Sequence, residues 1–165
     1  MAQTETPVSA VPPSPDLPRY VEVTPRIGTG GQPTDAGFRK LAQKGYRAII
    51  NMREAGEEGL DFDKQRRLAE DLGMKYYQIP FSGKEPKEEP VSQFMALMEQ
   101  LKDGRVFVHC RTGARIGAVM MCRRVLKDGV PAEQAEEEAG RIGLRTGALR
   151  QFAREYIENH EAGVP

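Results

Sequence analysis

A cysteine followed within five residues by two arginines and a glycine can both attack an anionic group and hold it. Cys110-Arg111-Thr112-Gly113-Ala114-Arg115 is such a run, with His109 before it and Ile116 after it. A thiolate is the nucleophilic form of cysteine, and the field at a helix N-terminus favours it. Backbone N–H groups of a glycine turn, Arg111 through Ile116, converge where an oxyanion would sit. The guanidiniums of Arg111 and Arg115 add planar donor forks that match phosphate oxygens. Nucleophile, anion cradle and arginine clamp in one short window imply covalent chemistry on an anionic ester. Ile116 has no side-chain donor and contributes only its amide. His109 is expected to pack beneath the loop and hydrogen-bond backbone, steadying the cysteine.

The elements needed to position these residues are legible around them. Val106–Val108 is a β-branched and aromatic run, which predicts a buried strand delivering His109 and Cys110 into the loop. Residues 114–127 carry a broad apolar face and predict a helix opening at the loop. Upstream, alternation over Arg19–Ile27 predicts a strand and Gly28–Pro33 a turn. Thr34-Asp35 offers an N-cap for a helix closed near Lys44-Gly45. Arg47–Met52 and Met74–Pro80 predict further strands, separated by a polar loop over 53–59 and a helix over Asp61–Leu72. Phe81–Pro90 reads as a charged loop, and Val91–Leu101 as an amphipathic helix. Pro131 suits the first turn of a helix running to Ala139, and Gly147–Ile157 a last one. Strands alternating with helices predict an α/β fold with a mainly parallel central sheet flanked by helices. Residues 1–18 contain five prolines and read as a disordered tail, leaving residues 19–161 as one domain.

His109, Cys110 and Gly113 stand in the register of His-Cys-x-x-Gly-x-x-Arg, the mark of cysteine-dependent protein tyrosine and dual-specificity phosphatases. Ile116 occupies that pattern's arginine position, and Arg115 comes one residue early. The shortened loop Cys-Arg-Thr-Gly-Ala-Arg-Ile-Gly resembles the phosphatase-like family named after the beta-lactamase-hydrolase-like proteins. Thr29-Gly-Gly-Gln-Pro33, Ala48-Ile-Ile-Asn-Met-Arg53, Tyr77-Gln-Ile-Pro80 and Gly143-Leu-Arg145 resemble the same family in its order. The resemblance runs from about Arg19 to His160. It implies a dual-specificity-phosphatase-like fold and hydrolysis of phosphate monoesters through a cysteinyl-phosphate on Cys110. Arg115 is then the clamp, with His109, Arg111, Thr112, Gly113, Ala114 and Ile116 around the bound group. The substrate would be a phosphorylated protein or a small phosphate ester, with no cofactor and no metal. Related phosphatases take their general acid from the loop after the third strand. That loop holds no aspartate here, so Glu85 is assigned the role from position, beside Glu88 and Glu89, with Asp61 or Asp63 as alternatives. A weak acid and no hydroxyl after the arginine imply a slow enzyme. Two other readings stay open: a rhodanese-like sulfurtransferase with a persulfide on Cys110, whose loop length matches, and a non-catalytic oxyanion-binding module.

Composition narrows the rest. A chain of 165 residues is long enough to bury a core, and 24 basic residues balance 24 acidic ones, so no nucleic-acid partner is indicated. No apolar run approaches the ~20 residues of a membrane span. Two cysteines and two histidines make neither a disulfide framework nor a paired-cysteine metal pattern. Cys122 lies twelve helical residues past Cys110, a rise of ~18 Å, too far to pair with it. Without a basic segment and apolar stretch near the start, a cytoplasmic location is expected. The alternative is an exported, periplasmic chain whose signal peptide has been removed.

Overall fold

The structure is a computed structural model that describes residues 9–10 and 14–161. Six strands form one sheet in the order β1-β2-β3-β6-β4-β5. They are β1 (Ser9–Ala10), β2 (Val21–Glu22), β3 (Ile27–Gly30), β4 (Tyr46–Asn51), β5 (Lys75–Gln78) and β6 (Arg105–His109). The first three pair antiparallel, and β3, β6, β4 and β5 run parallel. The six helices are α1 (Asp35–Gln43), α2 (Phe62–Asp71), α3 (Glu88–Gln100), α4 (Ala114–Leu126), α5 (Ala132–Ile142) and α6 (Gly147–Glu161).

Strand β6 sits between β3 and β4 and is covered on both faces, so Val106 through His109 are all buried. A strand in that position needs a continuous apolar run rather than an alternating one. The pleat still sorts its side chains. Val106 and Val108 join Ala48, Ile50 and Ile27 in a core covered by α3, α4, α5 and α6. Phe107 joins Tyr46, Ile49, Tyr20 and Phe38 in a second core beneath α1 and α2. Helix α4 has seven consecutive buried residues, Ile116–Cys122, and is packed by α5 and α6 as well as the sheet. A helix apolar on every side belongs at the centre of a layer.

Several boundaries differ from those expected. The stretch 19–27 is not one strand: β2 turns back through Thr24, whose Oγ1 accepts from the amides of Arg26 and Ile27, into β3. Gly28–Gly30, expected as a turn, is therefore β3 itself, paired parallel to Phe107–His109. Helix α3 begins three residues early because Pro90 falls in its first turn, where no amide hydrogen is required. Of the stretch 1–18, residues 14–18 belong to the packed body. Leu17 is buried, and the Pro18 carbonyl accepts from the Gly31 amide at 2.9 Å. Residues 1–8 and 11–13 of the expected tail lie outside the described residues.

Candidate active site

Cys110 stands at the carboxyl end of β6, and α4 opens four residues later. Ligands of parallel α/β sheets bind at that end of the strands. A groove lined by Arg47, Lys75, Leu101 and Arg105 lies at the opposite ends and shares no residue with the loop. Gly113, before the helix, has φ +94°, and a Cβ there would stand 2.6 Å from the Ile142 carbonyl oxygen. Only glycine meets both conditions. The turn aims the Gly113 amide inward, where it donates to Cys110 Sγ at 3.1 Å. Gln32, after β3, donates its amide to the Arg111 carbonyl at 3.0 Å and pins the outer side of the loop.

His109 is fully buried and stacks on Phe107 at 5.8 Å between centroids. Its Nδ1 lies 3.1 Å from the Cys110 carbonyl oxygen, an acceptor, so Nδ1 carries the hydrogen. Burial lowers its pKa to about 4, and Arg53 and Arg115 add to the effect against the hydrogen bond. The ring is thus a neutral support beneath the loop. Cys122 lies in the core, where burial pushes its thiol up to about 12.

Arg115 stands in the first turn of α4, one residue earlier than the longer pattern would place it, with Cys110 among the groups that act on its charge. Burial alone would lower its pKa; the hydrogen-bonded Glu57 carboxylate and the neighbouring Cys110 sulfur outweigh that and raise it. Glu57 takes two bonds from the guanidinium, Nη1 at 2.7 Å and Nη2 at 3.1 Å. The Phe81 carbonyl accepts a further Nη1 bond at 3.2 Å. A guanidinium has five N–H groups. Three are used, so the edge formed by Nε–H and the second Nη2–H remains for a ligand.

Glu57 also holds Arg53, whose Nε donates to it at 3.0 Å. Arg53 is buried at 3% exposure, with Nη1 on Gln32 Oε1 at 2.7 Å and Nη2 on the Glu58 carbonyl at 3.0 Å. Burial would raise the Glu57 pKa. The bonds from Arg115, the Glu54 amide and Arg53 overcome it and hold the carboxyl at about 2. This Arg115–Glu57–Arg53–Gln32 chain links the loop to the ends of β3 and β4. Sequence reasoning missed Glu57, since it lies in a glycine-containing loop with no period and no motif.

Among the described residues, none of the carboxylates singled out as acids is hydrogen-bonded to the loop. Glu85 is exposed; its amide bonds Ser82 Oγ in a turn, and no hydrogen bond or ion pair ties its carboxylate to the loop. Asp61 caps α2 by accepting from the Lys64 amide, and Asp63 pairs with Arg66. Arg111 and Thr112 are exposed, while Gly113 and Ile116 are buried and Ala114 is partly so. Among the described residues, no group of three or more His, Cys, Asp or Glu side chains is placed to hold a metal ion.

Comparison with known proteins identifies the family. The model of the family described as a DSP-PTPase phosphatase fused to NAD+ kinase matches residues 17–160. The chain belongs to this family. A beta-lactamase hydrolase-like protein of Agrobacterium fabrum is 31% identical over 149 residues, covering 89% of this chain and 33% of its own length. A protein of the same name from Xylella fastidiosa is 29% identical over 143 residues, covering 85% of this chain and 33% of its own length. The phosphatase-like domain thus spans about a third of the length of the curated relatives it matches. Among solved structures, TpbA of P. aeruginosa in complex with phosphotyrosine superposes with a TM-score of 0.73 at 16% identity, covering 98% of this chain and all of that one. At that identity the likeness concerns the fold: a mixed α/β sheet of the dual-specificity phosphatase kind. No described helix of the domain is long and apolar enough to cross a membrane.

Proposed function

We propose that the protein is a cysteine-dependent phosphatase that hydrolyses phosphate monoesters through a cysteinyl-phosphate on Cys110. The observation that carries this is the Gly113 amide aimed at Cys110 Sγ at 3.1 Å, with the Arg115 guanidinium near enough for the same sulfur to raise its pKa. The thiolate attacks phosphorus, the ester oxygen leaves, and water then cleaves the S–P bond and releases phosphate. The free Nε–Nη2 edge of Arg115 binds two equatorial oxygens while loop amides bind the third, where transition-state charge is spread. Glu57 positions Arg115; with its carboxyl at about 2 it is ionised at neutral pH and has no proton to give.

Glu57 is ionised and no other described carboxylate is hydrogen-bonded at the loop, so leaving groups that need a proton should suffer. A missing acid costs ~10²–10⁴-fold for poor leaving groups and little for an activated aryl oxide. The domain should therefore prefer aryl phosphates, phosphotyrosine-like esters among them, over alkyl ones. The test is hydrolysis of para-nitrophenyl phosphate across pH by the parent, Cys110→Ser and Arg115→Ala. Turnover in the parent that is abolished by Cys110→Ser and reduced ~10²–10³-fold by Arg115→Ala is the expected result. Absence of turnover in the parent, with a persulfide formed on Cys110 from thiosulfate, would overturn it in favour of sulfur transfer.

A further inference from the structure

Arg19 and the Gly143-Leu144-Arg145 run have no part in the chemistry so far, yet Arg19 and Gly143 both lie against Gly113 of the loop. Arg19 has φ +54° and is the one non-glycine positive-φ residue among those described. That conformation is disfavoured for any residue with a Cβ, and it persists only where neighbouring structure imposes it. Here both flanks are pinned. The Pro18 carbonyl accepts from the Gly31 amide, and buried Tyr20 bonds the Tyr46 hydroxyl at 2.7 Å. The imposed twist sends the Arg19 side chain over the loop, with Nε 3.7 Å from where a Cβ on Gly113 would stand.

Arg145 arrives from the other side. Gly143 packs on the backbone of Gly113, where its own Cβ would come within 2.7 Å of the Gly113 carbonyl carbon. Leu144 is buried and anchors the segment, and Arg145 emerges exposed beside it. Burial, then the nearby charge of Arg145, pull the Arg19 guanidinium below its ordinary pKa. Arg53, Arg115, Arg124 and Arg154 each hold a carboxylate. Among the described residues neither Arg19 nor Arg145 has such a partner. Arg19 lies over Gly113 on a strained backbone, and Arg145 follows two residues after the Gly143 that packs on the same glycine; two such guanidiniums without a described counter-charge are arranged for an anion that arrives from solution.

We propose that Arg19 and Arg145 form a second anion subsite flanking Gly113, which binds a second phosphoryl group of a substrate whose first sits over Cys110. The substrate class is then a compound carrying two phosphoryl groups a few ångströms apart, not an isolated monophosphate. This rests on the loop binding a phosphoryl group as proposed above.

Calorimetry on Cys110→Ser protein, with inorganic phosphate and inorganic pyrophosphate as probes, separates binding from turnover. Pyrophosphate should bind roughly tenfold or more tightly than phosphate, a gap of about 1.4 kcal/mol. Adding Arg19→Gly or Arg145→Gln should bring the two affinities close together. Arg19→Gly should also melt no lower than its parent, because glycine takes a positive φ freely, whereas a purely structural arginine would lower the melting temperature. Arg47→Gln, at the far ends of the strands, controls for long-range charge. An unchanged ratio in both subsite variants, an equal fall with Arg47→Gln, or no preference in the parent overturns the subsite. Loss of aryl-phosphate turnover in the unmutated chain, with the pyrophosphate preference intact, overturns the hydrolytic reading alone.

Discussion

Glu57 is the residue on which the arrangement of the loop turns. Its carboxylate is shared by Arg115, in the first turn of α4, and by buried Arg53, just past β4. Removing one member of a buried ionic group leaves an uncompensated charge, which typically costs ~3–5 kcal/mol. Glu57→Ala should therefore destabilise by about that amount, read as a fall in the urea midpoint. Glu57→Gln keeps one acceptor and should cost less, about 1–3 kcal/mol. On para-nitrophenyl phosphate, Glu57→Gln should lower kcat roughly tenfold while KM changes little, the mark of a loosened transition-state donor. An unchanged kcat would mean Arg115 needs no partner to hold its pose. The shared loop pattern led to the cysteine and the arginine. Glu57 was illegible because a bridging carboxylate is defined by two side chains far apart in the chain.

At the scale of elements, the loop depends on how closely α4 and α5 approach. Gly117 lies in α4, and a Cβ there would come within 2.8 Å of the Ala139 carbonyl oxygen and of the Leu144 amide nitrogen. Alanine is favoured over glycine in a helix by at most about 1 kcal/mol. Forcing backbone apart in a packed core costs ~1–3 kcal/mol, and both obstacles here are backbone atoms that cannot rotate away. Gly117→Ala should therefore be net destabilising by thermal melt, despite its better propensity; an increase in melting temperature would show that α5 can shift freely. Helix α4, strand β6 and the N-cap of α1 at Thr34 were legible from local pattern. The hairpin of β2 and β3 was not. Thr24-Pro25-Arg26 turns the chain within a stretch whose alternation looked continuous, and only pairing with β6 makes Gly28–Gly30 a strand.

Across the whole molecule, buried His109 and partly buried Glu57 set how folding responds to acid. His109 is neutral in the folded protein, with a pKa near 4 against an ordinary value of 6.5. The unfolded chain binds its proton first, so its contribution to stability is complete above pH 6.5 and is lost as pH falls through 4. Glu57, held near 2 from an ordinary 4.5, acts next: its contribution is complete above about pH 4.5 and is lost as pH falls towards 2. Each group adds a slope of up to ~1.4 kcal/mol per pH unit within its window. Denaturant midpoints measured from pH 7 to 3 should fall steadily on acidification. His109→Gln should flatten the segment between 6.5 and 4, and Glu57→Gln the segment below 4.5. A profile that is flat above pH 4.5 in the parent would show that His109 titrates normally.

By itself, the sequence determined the α/β order of elements, the buried central strand and the placement of cysteine, glycine and arginine in one turn. Those features are local: a strand's apolar run, a helix's period and a loop's spacing are all written within a dozen residues. Tertiary structure decided that Arg115 is paired with Glu57, that Arg53 shares the same carboxylate, and that Arg19 lies over Gly113. Each of these depends on side chains from separate strands and helices whose relative positions are set by core packing, and no local pattern encodes such a distance.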